Sequence, residues 1–206
     1  MKTETATRLI RRSADEIADI VRERICQCSG DEDQILHEGL LAVEFGVSRT
    51  PIRQVLQKLA YEHLVETRSG VGTIVSPLDP DARAGQTAAL RALLTAAADC
   101  AGDGEIPIEG RLRLETCMTA QTYGGPEDEW YFRTATVLLQ AAASLVPDRI
   151  LADALRACFW RHVRWRMLDR ATDRVGTEAD LLMTLRQIQA ERGAAQLLRK
   201  LAAAPL

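Results

Sequence analysis

The sequence predicts a mainly α-helical protein, with an N-terminal winged helix-turn-helix followed by a C-terminal antiparallel bundle of helices. Two patterns predict this fold. Residues 1–78 combine short amphipathic helices with a glycine-tipped, β-rich hairpin, whereas residues 79–206 keep a helical period and contain no strand pattern. The stretch Ser76-Pro77-Leu78-Asp79-Pro80 separates the two patterns. We therefore expect two domains, 1–78 and 79–206.

Composition excludes several classes of protein. The 206 residues carry 26 basic and 29 acidic side chains, a net charge of −3, so any nucleic-acid binding must come from local geometry. The first 30 residues lack a signal-peptide core, and no run of 18 apolar residues appears, so we expect a soluble cytoplasmic protein with no membrane partner. The five cysteines lack the paired spacing of a zinc site and are expected to fill apolar space.

The first helix is predicted from about Thr7 to Cys28. Ile17, Val21 and Ile25 recur there at helical spacing among charged residues. The acidic, glycine-containing stretch 29–33 is expected to end it, with a short extended segment at Ile35-Leu36.

A helix-turn-helix follows. Glu38–Phe45 is predicted as a short helix, and Gly46 as the turn residue that closes it. Ser48 is a suitable N-cap for a second helix that continues to about His63. That helix places Ile52, Val55, Leu56 and Leu59 on one face and Arg49, Arg53 and Gln57 on another. We expect the guanidinium groups to face outward and the apolar face to be buried.

The next segment predicts a hairpin. Two β-rich runs, 64–68 and 73–75, flank the glycine-containing stretch 69–72, which completes a winged helix-turn-helix. In this fold the second helix enters the major groove, where arginine can bind guanine O6 and N7. Gly70 and Gly72 permit close approach to a DNA strand, and Arg68 adds positive charge. The alternative is that Arg49 and Arg53 only solvate a helix face and the hairpin is structural.

Residues 40–59, followed by Leu64-Val65 and Gly70-Val71-Gly72-Thr73, closely resemble the GntR family of bacterial transcription regulators. Gly46-Val47-Ser48-Arg49-Thr50-Pro51-Ile52-Arg53 is particularly similar to the FadR-type branch. The resemblance implies a homodimer, an operator with inverted symmetry, and a helical effector-binding domain of the FCD type. It also implies DNA contacts by Arg49, Thr50 and Arg53 and, in the wing, by Ser69 and Gly70. Where the family usually has an arginine, this chain has Gly39, so its operator is expected to differ.

From residue 79 the chain is predicted to be helical throughout. The expected helices are Asp81–Ala101, Pro107–Gln121, Pro126–Ser144, Pro147–Asp169 and Thr177–Ala203, separated by stretches that contain Gly, Pro or Asp. An antiparallel bundle accommodates helices with such short connections.

This half resembles the FadR-type effector domain more weakly, through Arg91-xx-Leu94, Phe132 and the helix opening at Glu178. In many such domains four positions bind a divalent metal, and here they read Glu129, Arg133, Ala179 and Leu201. Alanine and leucine have no donor atoms, and the arginine guanidinium is permanently charged. We therefore predict no metal and no cofactor.

Several side chains are candidates for binding an effector. Arg133 could pair with the carboxylate of an anionic metabolite, although an intrahelical ion pair with Glu129 is equally compatible with the spacing. The segment 160–167 is rich in Trp and Arg, and its His162 and Arg166 share a face. The candidate effector-binding residues are Arg91, Glu129, Arg133, His162 and Arg166. In the alternative interpretation, the tryptophans fill the core and the arginines extend to solvent.

These observations predict a dimeric transcription regulator, by default a repressor, whose effector shifts the two recognition helices out of register with the operator. In the alternative, the C-terminal domain is only a dimerisation scaffold without an effector. A cavity of about 300 Å³ or more bordered by Arg133 would favour an effector, and a closed core would favour a scaffold. We do not expect an enzyme, because no nucleophile or paired carboxylate accompanies His162.

Overall fold

A computed structural model describes residues 12–28, 34–122 and 130–205. These residues are mainly helical, with one small antiparallel sheet near the N-terminus, which confirms the predicted fold class. They divide into two compact units, one within 1–24 and 33–76, the other within 25–32 and 77–206. Among the described residues, no helix is long and apolar enough to cross a membrane.

Three helices belong to the N-terminal part: α1 (Ala14–Gln27), α2 (Glu38–Phe45) and α3 (Arg49–Tyr61). A capping box fixes the start of α1, because Ser13 Oγ accepts from Glu16 N at 3.2 Å and Ser13 N donates to Glu16 Oε2 at 2.6 Å. The expected start near Thr7 is therefore wrong for Arg12 and Ser13, which precede the helix. Residues 1–11 and the expected stop at 29–33 lie outside the described residues.

The turn between α2 and α3 confirms the expected use of glycine. Gly46 has φ +64°, a left-handed conformation that closes α2 at little cost because glycine has no Cβ. Ser48 has the extended backbone of an N-cap, although its side chain makes no capping hydrogen bond. The second helix ends at Tyr61, two residues before the expected end, and His63 has a positive φ of 56°.

The sheet contains β1 (Ile35–Leu36), β2 (Val65–Arg68) and β3 (Gly72–Val75), in the order β1-β3-β2. All pairings are antiparallel, and Thr67 faces Thr73 in the hairpin. The sequence predicted the hairpin and the extended β1. It did not predict that β1 pairs with β3, with Ile35 opposite Ile74.

The helical part begins after a short 3₁₀ turn, Pro80–Ala82. Its helices are α4 (Arg83–Ala101), α5 (Ile108–Thr122), α6 (Trp130–Ser144), α7 (Arg149–Thr172), α8 (Arg174–Ile188) and α9 (Ala194–Ala203). In this bundle α4 packs against α7 and α9, while α6 packs against both α5 and α7. The residues before Trp130, where the sequence predicted the start of α6, lie outside the described part.

The junctions on either side of α8 differ most clearly from expectation. The expected break at 173–176 is a single residue, Asp173, whose Oδ1 accepts from Gly176 N at 2.9 Å and caps α8. The expected final helix is two helices. Gly193 interrupts it by forming a β-bridge with Glu105, and Ala194 N donates to Gly104 O at 2.9 Å. Pairing with the segment at Gly104 and Glu105 thus replaces the hydrogen bonds that a continuous helix would form at this point.

Candidate functional site

The helix α3 separates an apolar face from a polar face. Ile52 and Leu59 are fully buried, and Val55 and Leu56 are nearly so. Residues on the opposite face, Arg49, Thr50, Arg53 and Gln57, are exposed. This distribution follows from the 3.6-residue period, and it leaves a polar, positively charged surface available to a partner.

Arg49, at the start of α3, lies beside the first turn of α2. A Cβ atom placed on Gly39 would lie 3.5 Å from Arg49 Nη2. Arg49 is exposed and has no hydrogen bond or ion pair with the described residues. The Arg49 guanidinium therefore lies within ordinary contact distance of the Gly39 position.

Arg53, one turn later, has a partner that the sequence analysis missed. Its Nε donates to Glu38 Oε2 at 2.9 Å, while the Arg53 side chain remains 64% exposed. Nη1 and Nη2 have no hydrogen-bond partner within the described part of the chain, so the end of the guanidinium stays available. Fifteen residues separate the pair, and no local spacing rule indicates a contact between α2 and α3 at that separation.

The hairpin tip is formed as expected. Ser69 and Gly70 are exposed, and Gly70 has φ +76°, a conformation that favours glycine. Val71 N donates to Arg68 O at 3.1 Å and closes the turn. Arg68 Nε donates to Glu66 Oε1 at 2.8 Å, so part of the charge expected beside the tip is neutralised within β2.

A groove of about 430 Å³ lies between the start of α2, the polar side of α3 and the hairpin. It contains the Glu38–Arg53 pair. The residues that line it are Ile35, Leu36, His37, Glu38, Arg53, Leu56, Gln57, Ala60, Thr67, Val71, Gly72 and Thr73. The lining thus combines apolar residues with hydroxyl-, amide-, carboxylate- and guanidinium-bearing residues.

The candidate effector residues are not all brought together. His162 and Arg166 line a cavity of about 40 Å³ among α6, α7 and α8. The other residues that line it are Tyr131, Ala135, Leu138, Phe159, Val163, Leu181, Thr184 and Pro205. Arg133 is exposed on α6 and is not among them, and Glu129 lies outside the described residues. Arg91 is exposed, and its Nη2 donates to Ala204 O at 3.4 Å.

The polar groups of this cavity are already compensated. Burial, followed by the positive charges of Arg166, Arg83 and Arg91, lowers the pKa of His162 to about 3, so the imidazole is neutral at pH 7. Arg166 donates to Asp180 Oδ2 at 2.6 Å and to Asp169 Oδ2 at 3.4 Å. Burial also raises the pKa of Tyr131, which keeps its phenol neutral. The charge of Arg166 is therefore largely balanced within the chain.

The aromatic segment of α7 combines both earlier interpretations. Trp160 and Trp165 are buried, and Trp165 Nε1 donates to Gln86 Oε1 at 2.9 Å. Arg164 is also buried, and burial lowers its pKa. The expectation that the arginines of this segment extend to solvent is therefore wrong for Arg164.

The described positions aligned with metal ligands differ in exposure. Arg133 and Ala179 are exposed, whereas Leu201 is fully buried. No cluster of three or more His, Cys, Asp or Glu side chains suited to a metal ion occurs in the part of the chain that the structure describes. A second cavity, of about 250 Å³, lies between α5 and the connection from α8 to α9, and Arg133 does not line it either.

A helix-turn-helix with exposed arginines on its second helix and a glycine-tipped hairpin beside it is the architecture of a winged-helix DNA-binding domain. Comparison with protein families agrees with this class. Residues 13–75 match the family described as "Bacterial regulatory proteins, gntR family". The N-terminal part is therefore a GntR-type DNA-binding domain, and the match supports a transcription regulator of the GntR family.

Solved structures share the fold over nearly the whole chain. E. coli McbR/YncC is 14% identical, with a TM-score of 0.64 over 92% of this chain and 88% of that one. A structure described as a transcriptional regulator GntR from Rhodococcus sp. RHA1 is 18% identical, with a TM-score of 0.58 over 92% of this chain and 93% of that one. Identities this low show a common fold alone. A search of curated proteins found no match.

Proposed function

We propose that this protein is a transcription regulator that binds an inverted-repeat operator as a homodimer and represses by occupying it. The observation that carries the proposal is the polar face of α3, where Arg49 and Arg53 are exposed opposite a fully buried apolar face. The proposed DNA contacts are Arg49, Thr50 and Arg53 on α3, and Arg68, Ser69 and Gly70 in the hairpin. Arginine on such a helix can bind guanine, while the hairpin tip approaches the sugar-phosphate backbone.

Residues 1–78 would form the DNA-binding domain and residues 79–206 the dimerisation domain. Exposed apolar side chains in the helical part support association with a second copy. They are Ile108 and Leu112 on α5, Ile150 on α7, and Val175 and Met183 on α8. Burial of such side chains between two copies would remove apolar surface from water.

In vitro selection from a random duplex library tests the DNA-binding function directly. The purified full chain should enrich a sequence with inverted symmetry, and the enriched duplex should bind more tightly than scrambled duplex of equal length. Specific binding commonly exceeds non-specific binding by about 10³-fold or more. Enrichment of no sequence, with equal affinity for every duplex, would refute the proposal.

A response to a small carboxylate-bearing metabolite is the finer part of the proposal. Arg166 supports an anionic ligand, because it lines the cavity beside His162 and a guanidinium can pair with a carboxylate. Such a ligand would have to compete with Asp180 and Asp169, which already pair with Arg166. A ligand of ordinary size would have to enlarge the 40 Å³ cavity, since such sites usually measure about 300 Å³ or more.

The small cavity instead favours the second candidate, a helical domain that serves only as a dimerisation scaffold. Thermal-shift measurements with a panel of carboxylic acids separate the two. An effector domain should be stabilised by particular acids, and Arg133→Ala should abolish that shift if Arg133 anchors the carboxylate. Equal shifts in both proteins would exclude that anchor, and no shift in either would favour the scaffold.

A further inference from the structure

The pair formed by Glu38 and Arg53 limits how the arginine can bind a base. An arginine can contact guanine O6 and N7 side-on, through Nε and one Nη, or end-on, through both Nη atoms. In this protein Nε already donates to Glu38 Oε2 at 2.9 Å. Arg53 can therefore bind guanine without breaking its pair with Glu38 only in the end-on arrangement.

The Glu38–Arg53 pair lies where the orientation of the guanidinium affects what it can bind. Both residues line the groove between α2, α3 and the hairpin, and both are partly exposed, with side-chain exposures of 64% for Arg53 and 35% for Glu38. An exposed arginine samples many rotamers, so a carboxylate that fixes one of them reduces the entropy lost when DNA binds. As an isolated surface ion pair it would add little to the stability of the fold.

We propose that Glu38 is a specificity-determining residue: it positions Arg53 so that the end of its guanidinium reads a guanine edge. Glu38 acts through Arg53, and the inference rests on the proposed DNA-binding function. It assigns a role to a side chain on the first helix of the helix-turn-helix.

The negative charge of Glu38 has a second consequence. A carboxylate beside Arg53 repels DNA phosphates and balances the guanidinium charge, so binding through this arginine releases little condensed counterion. A guanine edge offers neutral hydrogen-bond acceptors and is not repelled in the same way. The pair therefore favours base recognition over binding to the backbone.

The test uses the full-length chain and the duplex that the wild-type protein selects. Glu38→Ala removes the positioning group, and Glu38→Gln keeps its shape but removes its charge. Glu44→Ala and Glu44→Gln are matched controls, because Glu44 lies on the same helix in an exposed ion pair with Arg24 and does not line the groove. Affinity is measured for the selected duplex, and for duplexes with each guanine replaced, over a range of salt concentrations.

Arg53→Ala identifies the guanine that depends on Arg53. At that position Glu38→Ala should lose about tenfold in discrimination between guanine and other bases. Glu38→Gln should bind non-specific duplex more tightly, and the slope of log affinity against log salt should steepen by about one unit. In an Arg53→Ala background the Glu38 substitutions should change discrimination no further. The Glu44 variants should behave like the wild type.

Two results would overturn the inference. If the wild type selects a sequence but the Glu38 variants keep its discrimination and salt slope, Glu38 does not position Arg53, and the proposed function stands. If the wild type selects no sequence, the proposed function fails and the role of Glu38 fails with it. Thermal unfolding of each variant confirms that the compared proteins are folded.

Discussion

The two arginines on the exposed face of α3 differ in how they are restrained. Arg49 lies near Gly39 and has no ion-pair partner among the described residues, whereas Arg53 is held by Glu38. A restrained guanidinium loses less rotamer entropy on binding than a mobile one. We therefore expect Arg53 to contribute more to base selection, and Arg49 to adapt to the DNA backbone or base edge that it meets.

Replacement of Arg53 by alanine should weaken binding to the selected duplex by about 1–3 kcal/mol and relax the preference at one base pair in each half-site. The reason is the loss of two hydrogen bonds to a guanine edge. Competition binding with single-base variants of the duplex measures both effects. If Arg53→Ala weakens binding to every sequence equally, the residue contacts only phosphate.

His162 should make the stability of the protein depend on pH. Its pKa is about 3 in the folded chain, against an ordinary value of 6.5, because burial and the charges of Arg166, Arg83 and Arg91 oppose protonation. The unfolded chain therefore takes up a proton that the folded chain refuses. The stability that the neutral imidazole provides is complete above pH 6.5 and is lost as the pH falls from 6.5 toward 3.

The expected loss is about 1 kcal/mol between about pH 7 and about pH 5.5. Denaturant unfolding at fixed protein concentration measures it. His162→Gln should remove this dependence, while His37→Gln, at an exposed position, should preserve it. A wild-type protein equally stable at both pH values would show that His162 is protonated as easily in the folded chain as in the unfolded one.

Among the elements, α1 and α3 are joined by a buried ion pair. Arg22 Nε and Nη2 donate to the two carboxylate oxygens of Glu62 at 2.8 and 2.9 Å, next to the C-terminal end of α3. Burial alone would lower the pKa of Arg22, but hydrogen bonds and attraction to Glu62 and Asp19 raise it. A two-pronged contact of this kind fixes the end of α3 against α1.

Arg22→Ala should reduce the free energy of unfolding by about 3 kcal/mol, because it leaves the Glu62 carboxylate without its buried partner. Lys58→Ala is the matched control. Lys58 also joins α3 to α1, through Asp15 at 2.8 Å, but both side chains of that pair are largely exposed. The control should cost less than about 1 kcal/mol. Equal losses of unfolding free energy for the two substitutions would show that burial of the Arg22–Glu62 pair does not set its contribution to stability.

Elements defined by local chemistry could be predicted from the sequence, and those defined by distant contacts could not. Glu38–Phe45 has the predicted bounds because a charged first turn, an apolar face and Gly46 all lie within nine residues. The split between α8 and α9 depends on the pairing of Gly193 with Glu105. Alanine-rich sequence on the C-terminal side of that glycine favours a helix, so periodicity alone joins the two.

The same distinction applies to the candidate site. Helical spacing places Arg49 and Arg53 on one face, and the structure has both exposed there. The partner of Arg53 comes from another helix, and its position depends on how α2 packs against α3, which spacing does not encode. Arg133 was selected because it occupies a position aligned with a metal ligand, yet its side chain is exposed and lines neither cavity described above.

For the molecule as a whole, the proposed two-fold symmetry decides whether weak contacts from each DNA-binding domain are sufficient to bind the operator. The chain has a net charge of −3, so the non-specific attraction of the whole molecule to DNA is small. The proposed homodimer would overcome this by binding two half-sites at once. Once one recognition helix is bound, the second meets its half-site at a high effective concentration.

The selected inverted repeat should therefore bind about 10²-fold or more tightly than a duplex with one half-site scrambled. Insertion of about five base pairs between the half-sites should remove most of that gain, because half a helical turn carries the second half-site to the opposite side of the duplex. Insertion of about ten base pairs returns the second half-site to the original side of the duplex but increases the distance between the half-sites. Affinity should therefore recover only if the two DNA-binding domains can span that distance. Gel-shift titration of the four duplexes measures this series. Equal affinity for the intact and the half-scrambled repeat would show that one domain binds alone and that dimerisation contributes nothing to operator recognition.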